Sequence, residues 1–219
     1  VHFDYENCDD WLPWPVYYRW CAKWLRECYR VLADDGRMVL MHYFSIGNKE
    51  DGRWTPLMTL NEISREIGYK HHAVIFWVDR TVSRLTAWGS WLKASSPYIN
   101  SPYEGLLVQY KRRWKKDRKG ETEISKEEFI AGCSGVWEIP ATKGSARVHP
   151  APFPLALADR VVRLLSFEGD TVLDPFVGSG TTLVAADSSG RSGIGIDNGP
   201  TYVEAARDWI MEVRNGRGK

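Results

Sequence analysis

Thr171-Val172-Leu173-Asp174-Pro175-Phe176-Val177-Gly178-Ser179-Gly180-Thr181-Thr182 is the stretch on which the fold turns. A short apolar strand ends at Asp174, a tight loop carries Gly178 and Gly180, and a helix begins at Thr181. Glycines in such a loop let the backbone approach a ligand closely, and a helix N-terminus adds positive potential. A second strand over 193–196 ends at Asp197, 23 residues after Asp174. An acid at that place in a βαβ unit typically accepts hydrogen bonds from ribose hydroxyls. No Lys follows the glycines, so the loop is not a phosphate-binding P-loop, and the full GxGxxG fingerprint is absent. An acid beside the glycines suits a cationic ligand with an amino group better than a pyrophosphate. The plainer reading, in which Asp174 and Asp197 only cap the helices that follow them, stays open at this level.

Outward from this stretch, strands and helices alternate. A helix is expected over 14–32, with Tyr17, Trp20, Trp24, Cys28 and Val31 on its inner stripe, stopped by Asp34-Asp35-Gly36. The run 37–44 reads as a buried strand and 46–54 as a loop. Pro56 opens a second helix with Leu57, Leu60, Ile63 and Ile67 inward, ended by Gly68. Strands are expected over 71–78 and 105–110. Ser125 with Glu128 forms a capping box, and Ile124 and Phe129 sit where a hydrophobic staple would, so a short helix starts there. The stretch 132–148 reads as a loop. A helix over 153–167 turns Leu157, Val161, Leu164 and Leu165 inward, and further helices follow over 181–188 and 201–213. This order implies an α/β fold with a doubly wound, mostly parallel sheet.

Composition narrows the function classes. The chain has 219 residues, 43% apolar and 26% charged, which excludes wholesale disorder. No apolar run is long enough to cross a membrane, and the acidic start is not a signal peptide. Cys8, Cys21, Cys28 and Cys133 lack metal-ligand spacing and read as buried free thiols; the five His show no zinc pattern. Eleven Trp can mean a large core or flat surfaces for stacking. Trp20, Trp24, Trp77 and Trp209 are expected in the core, and Trp88, Trp91 or Trp114 exposed. Net charge is +1, but residues 80–119 hold 10 basic against 2 acidic side chains, mostly in 111–119. A basic run with an aromatic inside it points to phosphate contacts.

At these residues the chain resembles the amino-group DNA methyltransferases, which make N4-methylcytosine or N6-methyladenine. Asp174 to Thr182 resembles that family's S-adenosylmethionine motif. His149-Pro150-Ala151-Pro152-Phe153-Pro154 resembles the segment before it, and Gly193 to Asp197 the next motif, whose acid binds the ribose. Trp88 to Trp91, Glu104 to Lys111, Val136 to Pro140 and Arg26 to Arg37 also fit, in the family's order. The resemblance implies a circularly permuted, Rossmann-like methyltransferase fold with a small target-recognition insertion. It implies an N-terminally incomplete catalytic half over 1–80, a DNA-facing region over 81–148 that includes one sheet strand, and a cofactor half over 149–219. His149, Pro150, Phe153, Asp174, Pro175, Phe176, Gly178, Ser179, Gly180, Thr181, Thr182 and Asp197 would hold S-adenosyl-L-methionine. Arg84, Trp88, Ser90, Trp91, Lys93, Lys111, Arg112, Arg113, Lys115 and Lys116 would face double-stranded DNA. A cytoplasmic, nucleoid-associated enzyme of prokaryotic or phage type is implied.

One departure matters. The family's catalytic (Asp/Asn/Ser)-Pro-Pro-aromatic motif occurs nowhere in the chain. Ser96-Pro97-Tyr98 and Ser101-Pro102-Tyr103 each have one Pro and lie in the recognition region. The motif is expected just before Val1, so about one βα unit and a strand, roughly 30–50 residues, are expected to be missing, supplied by a preceding segment or a second polypeptide. HPAPFP, with Phe in place of the Gln-Lys frequent in adenine enzymes, favours N4-cytosine slightly. Two other readings stand beside this one: a non-catalytic or split-enzyme subunit that binds cofactor and DNA, and a small-molecule methyltransferase.

Overall fold

The computed structural model describes residues 12–47, 53–79, 89–97, 99, 103–141 and 153–217. The chain divides into two compact units, 1–117 with 135–138 and 118–134 with 139–219. The 81–148 segment, expected to include one sheet strand, gives two to the sheet of the first unit, and its residues 118–134 group with the second unit.

The first unit contains α1 (Trp14–Val31), β1 (Arg37–Tyr43), a short pair β2 (Ile46–Gly47) and β3 (Arg53–Trp54), α2 (Pro56–Ile67), β4 (Lys70–Val78), β5 (Tyr103–Tyr110) and β6 (Val136–Glu138). Its four-stranded sheet has the order β1-β5-β4-β6. β5 is antiparallel to both β1 and β4, and β6 is parallel to β4, so three strands share one direction and β5 alone is reversed. α2 lies across the sheet at Gly105, where a Cβ would stand 2.2 Å from Leu57 Cδ2. Only a side chain of hydrogen lets that helix sit so close.

α1 turns Tyr17, Cys21 and Leu25 inward, with Leu60 and Tyr69 completing the cluster. The stripe is rotated by about one position from the expected one: Trp20 is 37% and Val31 54% exposed. α1 carries aromatic residues on most of its surface, so two neighbouring stripes fit the same period, and the i, i+4, i+8 series of Tyr17 wins. The expected face of α2 is present, with Leu57 and Leu60 buried and Ile63 and Ile67 packed against the α1 cluster. Two expected loops contain strands. β2 and β3 pair within 46–54, and β6 lies within 132–148. A three-residue strand shows no period, yet it carries Trp137, the largest fully buried side chain, at 1% exposure.

The second unit contains α3 (Lys126–Gly132), α4 (Leu155–Leu165), β7 (Thr171–Asp174), α5 (Thr181–Ser188), β8 (Ser192–Gly195) and α6 (Pro200–Arg217). β7 and β8 are parallel. The capping box forms as expected: Glu128 N–H donates to Ser125 Oγ, and Ser125 N–H to Glu128 Oε2. Those bonds, with Arg163, hold the Glu128 carboxyl at about 2. α4 buries Leu157, Ala158 and Val162 rather than Val161. Arg191 is buried, its guanidinium pushed down by burial. It donates to the Ser166 and Ser189 carbonyls, closing the ends of α4 and α5 at once. Among the described residues no cysteine is in a disulfide, but Cys133 is exposed rather than buried; Cys8 lies outside the described residues. No described helix is long and apolar enough to cross a membrane.

Trp137→Ala should destabilise the fold by about 3–5 kcal/mol, read by denaturant unfolding; a loss under about 1 kcal/mol would show that β6 adds little to the sheet.

Candidate functional site

The second unit presents its loops where β7 and β8 end. β7 leads into 175–180, and the loop is tied back to the end of β8: Ile196 N–H donates to the Asp174 carbonyl at 2.9 Å, and Val177 N–H to the Ile196 carbonyl at 2.9 Å. Gly180 caps α5 in the left-handed region at φ +93°. A Cβ there would stand 2.8 Å from Ala206 Cβ and 2.9 Å from its Cα, so α6 crosses directly against the loop. Gly193 and Gly195 leave β8 open for Leu183 of α5, which would meet a Cβ at 2.8 and 2.7 Å. The small residues here bring two helices onto a two-stranded ribbon.

Asp197 gathers the site. Its Oδ2 accepts from Gly178 N–H at 3.0 Å and its Oδ1 from Gly199 N–H at 2.9 Å. An ionised carboxylate has about four acceptor positions, so about two remain for a ligand. Asp174 Oδ1 accepts from Phe176 N–H at 3.0 Å, and its Oδ2 has no partner among the described residues. Gly178, Ser179, Gly180 and Thr181 are buried, while Pro175 and Thr182 are partly exposed. Phe176 and Ile196 are exposed at 45% and 55%, flanking the carboxylates with apolar surface. Phe153 packs with Val172 against Ala158, Val162 and Ala185, a core contact. His149 and Pro150 lie outside the described residues. Gly199 is a site residue outside the expected set; a glycine two residues after Asp197 is the available signal for a turn that folds back on the acid.

The residues expected to face DNA divide into two groups. In the first unit Gly89 bridges Pro97, and Ser90 closes the loop between them: its Oγ donates to the Lys93 carbonyl at 2.6 Å and accepts from Ser96 N–H at 2.8 Å. Trp91, 63% exposed, and Lys93 stand at its tip. Ser90 is thus a staple of the loop. Arg84 and Trp88 lie outside the described residues.

The basic run is largely engaged within its own unit. Lys111 Nζ donates to the Leu32 carbonyl at 2.7 Å and caps α1. Arg112 pairs with Asp34 at 3.3 Å, and Arg113 forms two bonds to Asp117. Asp117 N–H in turn donates to Asp35 Oδ2 at 2.8 Å. Of the three Trp among which exposure is expected, Trp91 is exposed, whereas Trp114 has His72 stacked on its ring at 3.5 Å and the Arg37 guanidinium over it at 4.6 Å. A cation and a flat ring covering it leave little face for a base. Lys115 remains exposed and Lys116 half-buried.

In comparison with known proteins, the profile of a family described as DNA methylase matches residues 1–208. The type II methyltransferase M.MjaVI of Methanocaldococcus jannaschii is 37% identical over 140 residues, 64% of this chain and 71% of that protein. M.BglI of Bacillus subtilis, also a type II methyltransferase, is 46% identical over 125 residues, 54% of this chain but only 34% of its own length. Among solved structures, a proposed DNA modification methylase of Thermus thermophilus, complexed with S-adenosyl-L-methionine, superposes with a TM-score of 0.75 at 28% identity, over 91% of this chain and 79% of that one.

Gly180→Ala should cost about 1–3 kcal/mol, from the left-handed backbone and the Ala206 contact together. Denaturant unfolding that matches the wild type would show that α6 can retreat from the loop.

Proposed function

This chain belongs to the DNA methylase family, and from that premise we propose that it binds S-adenosyl-L-methionine at the Asp174–Asp197 loops and serves methyl transfer to an exocyclic amino group of double-stranded DNA, cytosine N4 ahead of adenine N6. One observation carries the reading: the Asp197 carboxylate is fixed by two backbone N–H groups with acceptor capacity left over.

The residues suit that ligand. The spare Asp197 positions accept from two ribose hydroxyls. Phe176 and Ile196 offer apolar surface to a flat adenine ring, and the open Asp174 oxygen suits an ammonium group. When bound, the cofactor supplies an electrophilic methyl group on a sulfonium. The chain's own work is to hold and orient, and to keep charge where the sulfonium lies; no covalent enzyme intermediate is needed.

An amino group inside a duplex is out of reach, so the target base leaves the stack. Trp91 and Lys93 at the stapled tip, with Lys115 and Lys116, are the assigned DNA contacts. Lys111, Arg112 and Arg113 act first as structural residues of the α1–β1 corner. The lone pair of the amine must be oriented by acceptors that this chain's sequence does not carry as a Pro-Pro motif. We assign that task to polypeptide outside residues 1–219, a further segment or a second chain. The edge of β1 that has no strand partner among the described residues suits it. The same missing motif favours a second reading, a subunit that binds cofactor and DNA but does not itself react. Addition of a polypeptide carrying the motif separates the two, since only a split enzyme gains activity.

Methylation of plasmid DNA by the full-length protein with labelled cofactor, followed by nucleoside analysis, should place label in N4-methylcytosine; label in N6-methyladenine reverses the base assignment, and label in neither removes the transferase reading. Asp197→Ala should weaken cofactor binding at least about tenfold in calorimetry, as expected for losing hydrogen bonds to a charged group; equal affinity would place the ribose elsewhere. Lys93→Ala and Lys115→Ala should each lower the salt slope of DNA binding by about 1; unchanged slopes would remove these residues from the DNA face.

A further inference from the structure

At one rim of the first unit's sheet stands a carboxyl that is isolated among the described residues. β1 and β4 end, and the reversed β5 begins, at the same rim: Tyr43 and Trp77 both pair with Glu104 in register. Trp77 in turn pairs with Trp137 of β6. Directly paired residues project to the same face, so Tyr43, Glu104, Trp77 and Trp137 form one cross-strand row. α2 covers the opposite face, where Gly105 meets Leu57. Ligands of open α/β sheets bind outside the carboxyl ends of the strands, which is this rim.

Glu104 is half-buried and, among the described residues, has neither a hydrogen-bond nor an ion-pair partner. A lone carboxyl flanked by aromatic rings contributes nothing to the sheet, and burying it costs stability. We propose that Glu104 is a specificity-determining residue that receives the flipped base, its carboxylic acid donating to the ring nitrogen and accepting from the adjacent amino group. That edge, a ring acceptor beside an amine, is shared by cytosine (N3 and N4) and adenine (N1 and N6). Tyr43, half-exposed on one side, offers aromatic surface to the base, and Trp77, buried on the other, backs the carboxyl.

The acid form this requires is available. Burial alone pushes the Glu104 carboxyl up to about 7. A protonated carboxyl offers one donor and one acceptor, whereas the ionised form only accepts and would oppose the ring nitrogen. Among the described residues the other titratable groups along this rim are Tyr43 at the end of β1, Tyr103 at the start of β5, Asp79 just past the end of β4 and Glu138 at the end of β6. The inference rests on the methyltransferase reading for its substrate, but its test does not require methyl transfer.

Deoxycytidine and deoxyadenosine are titrated into full-length protein labelled with carboxyl-13C glutamate, with the Glu104 resonance assigned by its loss in Glu104→Gln. One of the two nucleosides should move that resonance at pH 6 and bind roughly 30-fold more weakly at pH 8.5, following the acid fraction of a group titrating near 7. The matching deaza analogue, 3-deazadeoxycytidine or 1-deazadeoxyadenosine, should bind at least about tenfold more weakly at pH 6. Glu104→Gln keeps a donor and an acceptor, so it should bind the nucleoside equally at both pH values. A resonance unmoved by both nucleosides, moved equally at both pH values, or moved equally by the deaza analogue overturns the assignment. So does full methylation activity in Glu104→Ala. Nucleoside binding that follows the expected pattern in a protein that never labels DNA upholds the base site and removes the transferase reading.

Discussion

Two backbone N–H groups from opposite sides of a gap, those of Gly178 and Gly199, end on the one carboxylate of Asp197. The second unit is organised by that convergence. The loop after β7 cannot drift from the turn after β8 without stranding a donor. The paired bonds between 174 and 196 and between 177 and 196 hold the same two segments from below. The glycines follow from it. With the loop so close to α6, position 180 has no room for a side chain, and with α5 so close to β8, neither do positions 193 and 195. The capping reading of Asp197 and the ligand reading are therefore not rivals. The carboxylate uses part of its acceptor capacity to shape the loop, and for the proposed ligand the remainder would already be oriented, which lowers the ordering cost of binding.

In the first unit the corresponding constraint is the reversal of β5. An antiparallel strand between β1 and β4 turns a strand beginning into a neighbour of two strand ends. Residues near Tyr103 thus share a rim with Tyr43 and Trp77, although they are far apart in sequence. It also leaves β1, an apolar strand of seven residues that are all half-buried, with one paired edge among the described residues. An edge strand of that composition is normally short, charged or covered. Met38 to Met41 instead have the composition of an interior strand.

Local chemistry was the legible part of the sequence. The capping box at Ser125, the strand-loop-helix at Asp174 and the proline entry of α2 each rest on contacts within a few residues, and each stands where the sequence placed it. What failed depended on partners distant in the chain. Trp20 and Val31 were assigned inward because the period of α1 cannot say which of two aromatic stripes meets α2. β6 went unseen because three residues carry no period, and its Trp137 is buried only because β4 lies alongside.

The basic run shows the same limit from the electrostatic side. Counted along the chain, 111–119 is a cluster of like charge beside a Trp, and such a count predicts an electrostatic footprint. Folded, the run meets Asp34 and Asp35, about eighty residues earlier, at the turn that stops α1. Acids that read locally as a helix stop are also counterions for a loop brought back by β5. Arg113 finds its own acid four residues on, and Arg37 reaches Trp114 from the first residue of β1. A side chain already holding a carboxylate or a carbonyl must break that bond to take a phosphate, so its net gain is small even where its charge is favourable. Among the described residues the positive charge left for a polyanion is then set by the lysines without an acid at hand, Lys93, Lys115 and Lys119, rather than by the formal sum over the segment.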